Sequence, residues 1–265
     1  MMDTENGLRA DVFARPADDA PRRAYADWLT ARGDGYGDFI TAQLTGQTAR
    51  AAALFPSIAE RAACGLAQRP RLERFRRGFL VEVNMSVLTP EVSRAVETVD
   101  AWGAVERLDF AAGRPQHARP RDCATITALA RAGRLGALTH LTAHGAVVNA
   151  LAAVFDRPLT QLEVMGLDAP PSFGALVGPA TDVTLHLFHA IRIKVGPGRV
   201  RLDVDDEGAA DEAVLSAVLG GLIKPDDEVM LGIDDRAARL GALVRATVLR
   251  VPHARLVAPP AMLRH

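Results

Sequence analysis

The chain has 265 residues, of which 49% are hydrophobic and 24% charged, a composition typical of globular proteins that excludes a disordered or collagen-like chain. Its 31 Lys and Arg residues nearly balance its 32 Asp and Glu residues. The net charge of -1 gives no overall field that would attract nucleic acid or an anionic membrane, so a dedicated DNA-binding protein is not expected.

The cysteines indicate a reducing compartment, and the hydropathy predicts no membrane segment. Cys64 and Cys123 form no Cys-x-x-Cys pair, so we expect neither a zinc framework nor a disulfide framework. The N-terminal residues are polar and acidic, unlike a signal peptide, and no stretch approaches the roughly 18 to 20 apolar residues that span a bilayer. We therefore expect a cytoplasmic protein without a membrane segment.

The first 66 residues carry helix signals. The acidic residues and Pro at 18–21 predict the start of a helix that runs from about Pro21 to Arg32, and the Gly-Asp-Gly at 33–35 ends it. A second helix is predicted to start near Gly37 or Asp38 and to continue toward residue 50. A further helical segment is predicted over 51–66, after or across Pro56.

The same residues resemble a known family. The segment 18–34 reads DDAPRRAYADWLTARGD and the segment 37–40 reads GDFI, which is similar to the bacterial repeat-companion domain. The resemblance covers about residues 6–48. It implies a helical domain over residues 1–50 that precedes leucine-rich-like repeats, and it implies no catalytic role.

A basic segment, which contains Arg69, Arg71, Arg74, Arg76 and Arg77, leads into Gly78-Phe79. A comparable Arg-Gly-Phe joint often follows the companion domain, so the resemblance implies that residues 51–77 are a helical linker that joins the repeats. Arg side chains also grip phosphate, and a nucleic-acid adaptor that uses this segment is a less favoured alternative.

Beyond residue 78 the pattern apolar-x-x-apolar-x-apolar recurs in degenerate form, as in the strands of leucine-rich repeats. Leu141, Leu162 and Val183 follow one another at intervals of 21 residues. Predicted strands contain 80–85, 105–110, 138–143, 159–164, 180–185, 202–204, 229–231 and 246–251, and predicted helices cover 124–132, 147–155, 212–222 and 237–244. Residues 78–265 are thus predicted to be a degenerate leucine-rich-repeat-like domain.

Two segments interrupt this pattern. Residues 191–204 alternate apolar and polar side chains around Gly-Pro-Gly, which predicts a β-hairpin, and residues 114–120 predict an exposed loop. The predicted fold class is α/β, an irregular leucine-rich-repeat-like solenoid with a parallel sheet and an N-terminal helical cap. An open sheet edge after Val251 makes a homodimer plausible.

The motifs of the common enzyme classes do not occur in the sequence. His140, His144, His186 and His189 are too widely spaced in the predicted repeats to share a metal ion, and the acidic run 203–208 lacks the last ligand of a calcium loop. We therefore expect no metal and no cofactor.

The favoured function is a non-catalytic scaffold that binds a protein or a peptide through the strand face, with a flexible substrate peptide presented to a modifying enzyme as one form of it. The second hypothesis is an enzyme whose site uses His140, His144, Glu163 and His186. The predicted partner-binding side chains point outward from the strands: Arg107, Asp109, His140, Thr142, His144, Gln161, Glu163, Met165, Asp182, Thr184, His186, Arg201 and Asp203.

Overall fold

The computed structural model describes residues 2–64, 66, 70–85, 100–111, 120–166, 173–187, 191–196, 199–204, 212–223, 227–233, 238–251 and 255–257. Several sequence predictions concern residues outside this set: Arg69, the loop at 114–119, His189, the turn at 197–198 and the acidic run at 205–208.

The chain is an α/β protein, and the described residues form eight α-helices and a mostly parallel sheet of nine strands that is not closed. The predicted α/β class and the mainly parallel sheet are therefore confirmed. The chain divides into two compact units. The first unit comprises Met1–Arg114 and Ala124–Thr139, and the second unit comprises Pro115–Cys123 and His140–His265. The predicted boundaries near residues 50 and 78 stay a prediction.

The first unit begins with four helices: α1 (Met2–Ala14), α2 (Ala20–Thr30), α3 (Gly35–Leu44) and α4 (Thr48–Ala63). The side chain of Asp34 caps α3, since it accepts a hydrogen bond from the amide of Tyr36. Asp18, which precedes the N-cap residue Asp19 of α2, accepts from the amide of Ala20. The helices predicted at 21–32 and 51–66 correspond to α2 and α4. The second predicted helix is also present, but it begins at Gly35 and ends at Leu44 instead of continuing toward residue 50. Helix α1 was not predicted.

A short antiparallel hairpin follows, formed by β1 (Phe75–Arg76) and β2 (Phe79–Leu80). Its Phe79 ring packs against the rings of Phe13, Tyr25 and Tyr36, with ring centroids 5.9 to 6.3 Å apart. The guanidinium of Arg22 lies 5.5 Å from the centroid of Phe79. Burial, and then the nearby charge of Arg77, lower the pKa of Arg22 to about 10.

The turn of this hairpin is held by the helices. The Nε of Arg77 donates to Asp19 at 2.6 Å, and its terminal nitrogens donate to the carbonyls of residues 16 and 17. The hydroxyl of Tyr36 donates to the carbonyl of Gly78, and the amide of Gly78 donates to Gln43. The Arg-Gly-Phe segment is therefore an integral part of the first unit.

The rest of the first unit contains two short parallel strands, β3 (Glu82–Asn84) and β4 (Arg107–Asp109), which pair in the register Val83 to Leu108. Both of these central side chains are buried, as is Trp102 in the 3-10 segment that precedes β4. Helix α5 (Pro120–Arg131), of which residues 124–131 belong to the first unit, includes most of the predicted helix 124–132.

In the second unit, seven strands lie in chain order across the sheet. They are β5 (His140–Ala143), β6 (Gln161–Met165), β7 (Asp182–Leu187), β8 (Ile191–Gly196), β9 (Arg199–Val204), β10 (Glu228–Ile233) and β11 (Arg255–Val257). Strands β5, β6 and β7 pair in parallel, β8 is antiparallel to both β7 and β9, and β9, β10 and β11 pair in parallel. The predicted hairpin at 191–204 is confirmed.

Three helices accompany these strands: α6 (Gly145–Ala152), α7 (Glu212–Leu222) and α8 (Ala238–Arg250). Helix α7 has the predicted limits. The strand predicted at 246–251 is wrong, because α8 continues to Arg250 and the last strand, β11, begins at Arg255. The residues of β11 are exposed and its outer side has no partner strand among the described residues, so a homodimer through this edge stays a prediction.

The 21-residue spacing fixes the register of β5, β6 and β7. Leu141 lies beside Leu162, and Leu162 beside Val183, and all three are at most 1% exposed. The next apolar row, Ala143, Val164 and Leu185, is fully buried. Since side chains alternate along a strand, the intervening residues share the opposite face of the sheet. None of the described helices is long and apolar enough to cross a membrane.

Candidate functional site: the polar face of the second unit

The candidate site is the polar face of the second unit, defined as the exposed and half-buried side chains of β5 to β9 that lie opposite the buried apolar rows. The residues of one row are consecutive sheet neighbours, namely Thr142, Glu163, Thr184, Lys194 and Arg201. They are exposed or half-buried, while their chain neighbours are mostly buried. This alternation confirms the predicted strand register for β5 to β7.

A second row lies two residues before the first along β5, β6 and β7. It begins with His140, Gln161 and Asp182, which are neighbours on these three strands. Gln161 and Asp182 are exposed, and His140 is half-buried. A third row lies two residues after the first along β6 and β7. It contains Met165 of β6, His186 of β7, Arg192 of β8 and Asp203 of β9. The three rows together mix acidic, basic and neutral polar groups with one thioether.

A hydrogen-bonded chain crosses three strands of the polar face. The Nε2 of His186 lies 2.9 Å from Oε1 of Glu163, and the hydroxyl of Thr142 donates to Oε2 of the same carboxylate at 3.3 Å. Each of these side chains is partly accessible to solvent. The carboxylate thus orients one imidazole nitrogen of His186.

His144 differs from the other predicted residues because it is only 6% exposed. It precedes α6, and its Nδ1 is within hydrogen-bond distance of the carbonyl of Met165. Its Nε2 is buried and has no hydrogen-bond partner among the described residues. The expectation that His144 is presented to a partner is therefore wrong, since the side chain is buried and one of its nitrogens contacts the carbonyl of the last residue of β6.

The β8–β9 hairpin carries basic side chains that the sequence interpretation missed. Arg192 and Lys194 of β8 lie directly opposite Asp203 and Arg201 of β9. The alternation of residues 191–195 was the available signal, because it puts residues 192 and 194 on the face opposite the apolar ones. The hairpin had been predicted, but no neighbour on the sheet had been assigned to it.

Ion pairs organise part of this basic region. The Nε of Arg201 donates to both carboxylate oxygens of Asp203, at 2.9 and 3.0 Å. Arg199 lies 3.6 Å from Glu228 of β10, with both side chains more than half exposed. Such exposed pairs contribute little stability, typically below about 1 kcal/mol.

A depression of about 400 Å³ lies on the polar face where β6, β7, β8 and β9 meet. Its polar lining consists of Gln161, Asp182, Thr184, Lys194, Arg199 and Arg201. Four of these six residues, Gln161, Asp182, Thr184 and Arg201, were predicted partner-binding residues. The structure therefore brings predicted and missed residues together in one concavity.

Two predicted residues belong to the first unit. Arg107 is exposed on β4, and half-buried Asp109 at the end of the same strand accepts a hydrogen bond from the amide of Ala111. They are not part of the polar face, which consists of side chains of β5 to β9.

The described arginines of the basic segment lie within ion-pair distance of carboxylates in the first unit. Arg71 pairs with Glu73, Arg74 with Glu82, Arg76 with Glu106 and Arg77 with Asp19. The described residues contain no group of three or more His, Cys, Asp or Glu side chains placed to hold a metal ion.

The fold and the site together define an α/β chain with an open, mostly parallel sheet and a polar strand face. No family model, curated protein or solved structure matches the chain.

Proposed function

We propose that the protein is a non-catalytic scaffold that binds a protein or peptide segment through the polar face of its second unit. The observation that carries this proposal is the continuous set of side chains on β5 to β9, which lie in register on one face while the alternate residues are buried. A partner in extended conformation would run across the strands and contact several rows at once. A flexible substrate peptide held for a modifying enzyme is one such partner.

We further propose that β5 to β7 are part of a degenerate leucine-rich-repeat-like array. Parallel pairing and the 21-residue spacing support this proposal, since the spacing lies within the range of 20 to 29 residues for such repeats. Helix α6 follows β5 after a single residue, as expected for a strand–turn–helix unit.

We also propose that the N-terminal helices are a repeat-companion-like cap. The residues that carry the resemblance include those that bind the Arg-Gly-Phe joint. Asp19 accepts from Arg77, the Tyr25 ring packs on Phe79, and the Ile40 side chain lies against Gly78. The residues of the family-like motif at 18–40 therefore contact the Arg-Gly-Phe joint directly, which is a physical reason for motif and joint to occur in one chain.

The binding proposal is tested by selection from a displayed random peptide library. Thr142→Arg combined with Glu163→Arg puts two bulky cations on the polar face. The matched control, Ser216→Arg combined with Ala217→Arg, changes two exposed residues of α7. We expect peptides selected by the wild type to bind the control equally well and the face variant at least about tenfold more weakly, a loss of roughly 1.4 kcal/mol or more.

Two outcomes would contradict the proposal. Failure of the folded wild type to enrich any peptide would argue against a peptide-binding scaffold. If the wild type and the face variant bind the selected peptides with equal affinity, the peptides bind to a surface other than the polar face. Far-ultraviolet circular dichroism of each variant verifies that it is folded.

The second candidate function is an enzyme, favoured by the hydrogen bond between His186 and Glu163, because a carboxylate that orients an imidazole is a common part of acid–base sites. Mass spectrometry of a selected peptide after incubation with the protein separates the two functions. A mass change that His186→Ala abolishes while binding is retained would favour the enzyme. An unchanged peptide is expected for the scaffold.

A further inference from the structure

The β8–β9 hairpin places like charges directly opposite each other on the polar face. Lys194 and Arg201 are cross-strand neighbours, and both side chains are exposed. Residues at such positions have Cβ atoms roughly 5 Å apart, and like charges there destabilise the strand pair. Folding alone does not favour this arrangement.

Arg201 and Lys194 differ in whether a carboxylate neutralises their charge. Arg201 uses its Nε to bind Asp203, which leaves its terminal nitrogens outside that interaction. The side-chain ammonium of Lys194 makes no hydrogen bond or ion pair with any of the described residues. The acidic side chain of the same depression, Asp182, is also exposed and does not pair with Lys194. The depression therefore contains an ammonium group that has no counterion in the described part of the chain.

The other groups of the depression suit an oxyanion. Thr184 lies directly opposite Lys194 on β7 and offers a hydroxyl donor, and Gln161 on β6 offers an amide donor. The depression of about 400 Å³ has room for a phosphate or carboxylate group together with neighbouring atoms of a peptide. An ammonium, a guanidinium and a hydroxyl are the donors that bind such anions in charge-assisted hydrogen bonds.

We propose that this depression binds the oxyanion of a partner peptide, a phosphate or a carboxylate, between Lys194 and Arg201. The inference rests on the proposed function, since it names the chemistry of the peptide that the polar face would bind. Asp182 lies one row away from Lys194, so its carboxylate faces a neighbouring donor group of the same peptide, such as a basic side chain or an amide. A second anion at that row would be repelled.

The first experiment uses inorganic phosphate as the probe, titrated by calorimetry into the full chain at low ionic strength. Lys194→Gln removes the charge and is expected to weaken phosphate binding about tenfold, as for the loss of one charge-assisted hydrogen bond. Lys194→Arg keeps the charge and is expected to retain most of the affinity. The matched control, Arg245→Gln, removes an exposed charge from α8 and is expected to have no effect.

The second experiment identifies the source of the oxyanion. One peptide sequence selected by the wild type is synthesised with phosphoserine, glutamate or serine at one position. Tighter binding of the phosphoserine or the glutamate form than of the serine form is expected, and the larger of the two gains identifies the group. This gain should disappear in Lys194→Gln.

The results distinguish this inference from the proposed function. Peptides that bind the wild type and Lys194→Gln with the same affinity and no preference for an anion would overturn the oxyanion site but leave the scaffold intact. Phosphate binding that depends on Lys194, without any peptide binding, would support the anion site and contradict the scaffold. Absence of phosphate binding to the wild type, or equal binding to Lys194→Gln, would overturn the inference.

Discussion

Tyr36 shows how a single buried polar group fixes the Arg-Gly-Phe joint. Its ring packs in the aromatic cluster of the first unit, and its hydroxyl donates to the carbonyl of Gly78 at 2.9 Å. Burial raises the pKa of the Tyr36 phenol well above its ordinary value, which favours the protonated hydroxyl that donates this hydrogen bond.

Tyr36→Phe removes this donor and keeps the ring. We expect the free energy of unfolding to fall by about 1 to 2 kcal/mol, because a buried carbonyl loses its partner. Urea denaturation measures the change. Tyr25→Phe is the matched control, since its hydroxyl binds the partly exposed Glu5, and we expect a smaller loss. If both variants lose the same free energy of unfolding, the hydrogen bond to Gly78 contributes no more to stability than the hydrogen bond to Glu5, and the prediction is wrong.

At the scale of residues, the polar face was predictable where the apolar spacing was regular. The alternation over β5 to β7 was sufficient to assign Thr142, Glu163 and Thr184 to one face. His144 was misassigned because it stands one residue after β5, where alternation no longer applies, and it turns inward at the start of α6. A strand pattern does not indicate where a strand ends.

At the scale of elements, the β1–β2 hairpin depends on a close approach that only glycine permits. Gly78 has a φ of +90°, and a Cβ there would lie 2.5 Å from Cγ1 of the buried Ile40. Because β1 and β2 connect the helices to the strands of the first unit, this contact fixes the joint between them.

Gly78→Ala is therefore expected to lower the free energy of unfolding by roughly 2 to 5 kcal/mol, as the sum of backbone strain and overpacking. The control Gly46→Ala also has a positive φ, +71°, but a Cβ there would meet no atom within 4 Å, so only the strain of about 1 to 2 kcal/mol is expected. Both tryptophans, Trp28 and Trp102, lie in the first unit, so their fluorescence during urea unfolding reports the change. Similar losses in the two variants would refute the steric argument.

The elements were predictable to different degrees. The Asp, Pro and Gly signals sufficed for the start and end of α2 and for the presence of α3. Helix α4 was predicted only as a helical segment after or across Pro56, which lies inside it. Helix α1 has few such signals and is stabilised by packing, for example of Phe13 on Phe79. The strand at 246–251 was wrongly predicted from Ala246, Leu249 and Val251. In the helix that forms instead, Leu249 is 67% exposed and the buried residues recur at helical spacing. A comparison of this segment with both the two-residue period of a strand and the 3.6-residue period of a helix would have indicated the helix.

At the scale of the whole molecule, charge is nearly balanced and locally paired. The net charge is -1, and the basic segment before the Arg-Gly-Phe joint has a carboxylate within 4 Å of each described arginine. Binding to nucleic acid would require these arginines to exchange a carboxylate for a phosphate. That exchange releases fewer counterions than the neutralisation of phosphates by unpaired cations.

We therefore expect the full chain to bind a generic 30-base-pair DNA duplex no more tightly than a Kd of about 10⁻⁴ M at about 150 mM salt, the weak end of non-specific binding. Fluorescence anisotropy of a labelled duplex measures this at two salt concentrations. Arg71→Gln combined with Arg74→Gln should leave the weak signal unchanged, because neither arginine is then a phosphate ligand. Micromolar affinity that falls steeply with salt and is lost in this double variant would contradict the expectation. In that case the basic segment would be a nucleic-acid interface, and the binding surface of the protein would include its first unit.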